Sequence, residues 1–119
     1  LLLDDKYDLK IADFGFSAPL EGRDGKGFLT TRLGTVSYMA PEIHMGLPYL
    51  GENVDLFAAA IILFIMVSGH PPFENTRPED KHYRCIAASR ADIFWKLHTK
   101  TKTEDFYSEE FKMLIQSMI

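Results

Sequence analysis

Two triplets mark where this chain could do chemistry. Asp13-Phe14-Gly15 opens and Ala40-Pro41-Glu42 closes a stretch of 30 residues, and Gly34-Thr35-Val36-Ser37-Tyr38-Met39 leads straight into the second triplet. An aspartate is a carboxylate at neutral pH, and Mg²⁺ takes one or two carboxylates together with phosphate oxygens and water. Asp13 is therefore the candidate metal ligand, set against the commoner reading of an aspartate in a turn. Gly15 supplies backbone freedom for a sharp turn behind it. Thr35 offers a hydroxyl, and Glu42 a carboxylate whose burial costs on the order of several kcal/mol unless an arginine pairs with it.

The elements that must position these residues follow from pattern. Residues 1–3 and 9–12 are β-compatible apolar runs around the acidic turn 4–8, a hairpin that delivers Asp13 at its end. Residues 16–27 are rich in glycine and charge and read as loop. Gly22, Gly25 and Gly27 are spaced in the reverse of a phosphate-cradling order with no strand before them. Asp24-Gly25 lacks the oxygen ligands of a calcium loop, because Leu20 and Gly22 cannot ligate. Asn53-Val54-Asp55 leads into twelve successive apolar residues, 56–67, which end at Ser68-Gly69-His70-Pro71-Pro72. A helix apolar all round belongs in a core, and twelve residues fall short of the roughly 20 that span a bilayer. Two short helices are expected over 78–88 and 91–98, with Tyr83, Ile86, Phe94, Trp95 and Leu97 facing inward. Ser108 caps a last helix whose stripe is Phe111, Leu114, Ile115, Met118 and Ile119.

Composition narrows the function classes. The chain has 46% hydrophobic and 13% aromatic residues, enough for a core, and 13 basic against 17 acidic residues, a net charge of −4. No basic run tracks a phosphate backbone, so neither nucleic acid nor membrane is an expected partner. The single cysteine, Cys85, excludes an internal disulfide, reads as a core thiol and fits a reducing compartment, the cytoplasm or nucleus. His44, His70, His82 and His98 share no metal-ligand spacing and read as surface or packing residues.

Asp13-Phe14-Gly15, Gly34-Thr35-x-x-Tyr38-Met39 and Ala40-Pro41-Glu42, in this order and at this distance, resemble the activation segment of eukaryotic protein kinases. The serine/threonine branch fits better than the tyrosine-specific one, which carries tryptophan before its Pro-Glu. The resemblance implies a mainly α fold, the C-terminal lobe of the kinase domain with a short N-terminal β-hairpin: hairpin 1–12, activation segment 13–42 and helical lobe 43–119. It implies a protein serine/threonine kinase that uses ATP and Mg²⁺, with a protein substrate and an upstream activating kinase as partners. Asp13 would hold the metal on the β- and γ-phosphates, and Phe14 would pack inward. Leu2 would form the floor under the adenine, supported by Ile62 and Met66 on the central helix, for all of which ordinary core packing is the competing reading. Thr35 would stand beside the catalytic base, in the wall of the peptide groove. Asp55 would hold the catalytic-loop backbone from beneath, with Phe57 and Ala60 in place of the usual tryptophan and glycine. Thr31 stands four positions before Thr35, where activating phosphate is commonly found, but Ala18 occupies a position where relatives often carry a base. The glycine-rich loop, its lysine, the paired glutamate and the catalytic-loop aspartate and asparagine do not occur here. The chain thus reads as a fragment starting just after the catalytic loop, inactive alone. A pseudokinase scaffold and a helical binding module unrelated to kinases are the alternatives; residues before Leu1 would discriminate the first, and the second requires both triplets to be accidents.

Overall fold

The apolar run forms the axis of the molecule. In the computed structural model, which describes residues 1–22, 25–103 and 105–119, it lies within helix α2, Gly51–Ser68, which starts early enough to include Asn53-Val54-Asp55. Asp24, considered above for a calcium loop, lies outside the described residues. Alanines and leucines favour the helix. Gly69 ends it in a left-handed cap at φ 78°, donating its N–H to the Ile65 carbonyl at 2.8 Å, a conformation glycine adopts without steric cost. With 18 residues and a mean hydropathy of 1.7, α2 is long and apolar enough to cross a bilayer. In this fold it is the core helix, with Phe57, Ala60, Ile61 and Phe64 buried.

Among the described residues four further α-helices surround or flank it: α1 (Pro41–His44), α3 (Lys81–Ala87), α4 (Ala91–Thr99) and α5 (Glu109–Met118). Phe64 is the hub, with the rings of Phe94, Trp95 and Tyr107 at 6.0, 5.9 and 5.9 Å and that of His98 at 4.9 Å. Burying each large apolar side chain here contributes roughly 1.5–3 kcal/mol, and the polar tips of two of them are hydrogen-bonded. Trp95 donates to Gln116 at 2.6 Å and Tyr107 to Ser68 at 2.9 Å. α5 begins where Ser108 Oγ accepts the Phe111 N–H at 3.2 Å, and Ile115 brings it onto the core. A smaller core of Met39, Ile43 and Tyr49 anchors the end of the activation segment. It is extended by the antiparallel bridge of Leu29 to Tyr49.

The hairpin is shorter than expected. Strands β1 (Leu2–Leu3) and β2 (Leu9–Lys10) pair antiparallel, Leu2 with Lys10 and Leu3 with Leu9. The turn is organised by Asp4, whose carboxylate accepts the N–H groups of Lys6 and Asp8, both at 2.9 Å. α3 starts at Lys81 rather than 78 because Asp80 caps it, accepting from His82 and Tyr83 at 2.9 Å each.

Several apolar residues expected inside are outside. Met66 is 76% exposed, Leu114 48% and Leu97 41%. α2 is apolar all round, yet its neighbours cover one face only. Met66 is two residues from Phe64, which turns it about 200° away from the core, and Ile62, half-buried, also packs outside the main cluster. Cys85 is half-buried beside that cluster.

Candidate functional site

A cleft of about 530 Å³ opens between residues 11–20 and 33–39 on one side and the first turns of α2 on the other, and Asp13, Phe14, Thr35 and Asp55 all line it. Residues separated by more than forty positions thus share one space. The hairpin delivers Asp13, a single 3₁₀ turn at Val36–Tyr38 follows Thr35, and the start of α2 presents Asp55.

Asp13 has φ 65° and ψ 75°, the left-handed region. Aspartate is among the few non-glycine residues that visit it, and such strain concentrates at functional sites. Its Oδ1 accepts the Gly15 N–H at a long 3.4 Å. This relocates the role of Gly15. The sharp conformation belongs to Asp13, whereas Gly15 leaves room: a Cβ there would stand 3.3 Å from Asp13 Oδ1. The other carboxylate oxygen has no partner among the described residues. No group of three His, Cys, Asp or Glu side chains among the described residues could hold a metal ion. A single exposed carboxylate with a free oxygen still fits Mg²⁺, which draws its other ligands from phosphate and water.

Phe14, expected to pack inward, is instead 68% exposed at the edge of the cleft. Leu2, at 62%, is equally open. Thr35 and Asp55 are both exposed, and neither side chain makes a hydrogen bond or ion pair to a described residue. Thr31 and Ala18 both line a neighbouring pocket of about 190 Å³, and residue 18 offers it a methyl rather than a basic side chain. The Thr31 carbonyl accepts from the Tyr49 hydroxyl at 2.6 Å, and the Arg32 guanidinium lies 3.5 Å from His44 Nδ1.

Glu42 is half-buried in the first turn of α1, favourable to the helix dipole, and makes no ion pair with a described residue. Burial pushes the Tyr83 phenol up, and the nearby Glu42 charge adds to that. No arginine pairs with Glu42 among the described residues, as the resemblance implies for these 119 residues.

Two features went unforeseen. Asp80 was not singled out, although an aspartate just before a helical stretch is a cap signal. Burial opposes its charge, but four backbone N–H groups, those of Tyr83, Glu74, Asn75 and His82, hold its carboxyl below the usual range. The histidines at 70, 82 and 98 also converge, with ring centroids 5.4 and 4.9 Å from His98. His98 Nε2 meets the Pro72 carbonyl at 2.9 Å. Burial, reinforced by His82 and His70, lowers His98 to about 4. Their irregular spacing carried no signal of this.

Comparison with known proteins adds an independent observation. The protein kinase domain family model matches residues 1–119. CBL-interacting protein kinase 11 of Oryza sativa subsp. japonica is 35% identical over 119 residues, 100% of this chain and 22% of that protein. CBL-interacting serine/threonine-protein kinase 2 of Arabidopsis thaliana is 34% identical over 119 residues, 100% of this chain and 24% of that protein. CBL-interacting protein kinase 26 of rice is 36% identical over 107 residues, 82% of this chain and 22% of that protein. The chain spans about a fifth to a quarter of the length of these curated relatives.

Proposed function

Because this chain belongs to the protein kinase domain family, we propose that it supplies the C-terminal-lobe side of the active site in an intracellular protein serine/threonine kinase, one that transfers the γ-phosphoryl of ATP to protein hydroxyls. The observation that carries this reading is the single cleft lined by Asp13, Thr35 and Asp55. Phosphoryl transfer asks a protein mainly for positioning and electrostatic stabilisation, and the cleft contributes to both.

Asp13 is the residue to hold Mg²⁺, with its exposed carboxylate at the end of a hairpin. When bound, the metal neutralises charge on the β- and γ-phosphates. Asp55, with both oxygens free among the described residues, is placed to accept backbone N–H groups of a catalytic loop entering the cleft. Thr35 stands at the same opening, where its hydroxyl can hydrogen-bond the base carried by that loop. Residues 35–42 form the wall against which the substrate peptide lies. Leu2, Ile62 and Met66 keep their proposed adenine-side roles, on surfaces left open for the remainder of the domain. The catalytic aspartate, the phosphate-covering glycine loop and its lysine would come from the rest of a longer protein, and these 119 residues alone would not phosphorylate peptide.

Thr31 enters the proposal as a phosphate acceptor for an upstream kinase, with Arg32 rather than residue 18 as the adjacent cation. The experiment on the central claim is Asp13→Asn in the complete protein. Turnover should fall at least about a hundredfold with the melting temperature unchanged; wild-type turnover in the folded variant would rule the metal role out.

A further inference from the structure

Met39 lies where residues 35–42 turn into α1. Its side chain is buried in the smaller core with Ile43 and Tyr49, and its backbone carbonyl accepts a hydrogen bond from Thr76 Oγ1 at 3.0 Å. Thr76 is 37 positions away in the loop between α2 and α3, and it is only 4% exposed. Among the described residues, this hydroxyl is the sole donor to the Met39 carbonyl. A buried carbonyl left unpaired is costly, so the bond constrains both partners.

The loop that carries Thr76 is itself clamped. Asp80 Oδ2 accepts the N–H groups of Glu74 at 2.8 Å and Asn75 at 3.3 Å, while Oδ1 accepts those of His82 and Tyr83 at 2.9 Å each. Asn75 Oδ1 takes the Arg77 N–H at 3.0 Å. Thr76 is therefore held on both sides, and bonds to an ionised acceptor are stronger than neutral ones. The clamp ties the start of α3 to the same knot.

We propose that Thr76 is a positioning residue for the peptide substrate: its hydroxyl, kept in place by Asp80, sets the position of Met39 and with it the groove wall 35–42. This rests on the kinase reading above. Thr76 meets neither ATP nor the transferred phosphoryl, so its influence falls on how well the peptide is held.

Steady-state kinetics of the complete protein with a serine/threonine peptide test this. Thr76→Val removes the hydroxyl at nearly constant volume and should raise the peptide KM about tenfold, with KM for ATP and kcat within about twofold of wild type. Thr76→Ser keeps the hydroxyl and should bring the peptide KM back to within about twofold. Asp80→Asn weakens the clamp without touching Met39; it should give about a threefold rise in the same constant and carries the test if Thr76→Val does not fold. A folded Thr76→Val with unchanged peptide KM overturns the inference and leaves the kinase reading intact. So does a loss shared equally by ATP and peptide, the mark of a merely structural role. A wild-type protein that phosphorylates no such peptide overturns both.

Discussion

Acidification from pH 6.5 to 4 should weaken this fold, and His98 is the main reason. Its ring is 6% exposed, with the Phe64 and Phe94 rings at 4.9 and 4.5 Å and the imidazoles of His82 and His70 at 4.9 and 5.4 Å. Charging it would put a cation into an aromatic core beside two further imidazoles. Its pKa is accordingly lowered from 6.5 to about 4 in the folded state. Between those values the unfolded chain binds a proton that the folded chain refuses, so stability falls as pH falls. Each pH unit of that window is worth at most about 1.4 kcal/mol, or about 3 kcal/mol in all; solvent reaching the exposed His70 reduces this to about 2 kcal/mol. His44, also lowered by burial, acts with the same sign and persists when His98 is replaced. The carboxyls of Asp4, Asp80, Asp92 and Glu110 are depressed below 3.8 or 4.5. Their contribution is present above those values and is lost only at lower pH. The assay is urea denaturation followed by Trp95, the one tryptophan of the chain, in wild type and in His98→Gln, whose amide can still donate to the Pro72 carbonyl. Wild type should lose about 2 kcal/mol more than the variant between pH 6.5 and 4. Parallel stability curves would refute the reasoning.

Two further outcomes bear on the site. Asp55→Ala in the complete protein should reduce turnover and cost about 1–3 kcal/mol of stability, from backbone donors left without an acceptor; wild-type melting and turnover together would show that Asp55 supports nothing. Mass spectrometry of the active complete protein should find phosphate on Thr31, and Thr31→Ala should lower activity; full activity in that variant would remove the switch.

Much of the site could be read from residue types in order along the chain. Asp13, Thr35 and Asp55, which line the cleft, stand out in the sequence because each sits in or beside a short local pattern: two triplets, the Gly-Thr run and the start of an apolar stretch. Element types were legible for the same reason. The apolar run 56–67, the Ser108 cap and the acidic hairpin turn act within a few residues, through hydrogen bonds that close over one helical turn or one β-turn. The length of α3 was misjudged where Asp80, a cap, had been passed over.

What the tertiary structure alone decided concerns faces and meetings. An all-apolar helix carries no record of which side its neighbours will cover, so Met66 and Ile62 could not be told from Phe64 and Ile61 until α4 and α5 were seen against one face. The left-handed backbone expected at Gly15 falls on Asp13 instead, a choice that residue type alone does not reveal. The histidines at 70, 82 and 98, and Thr76 with Met39, are separated by 12 to 37 positions. Only the folding of helices past one another brings such residues within reach, and no local periodicity records that encounter.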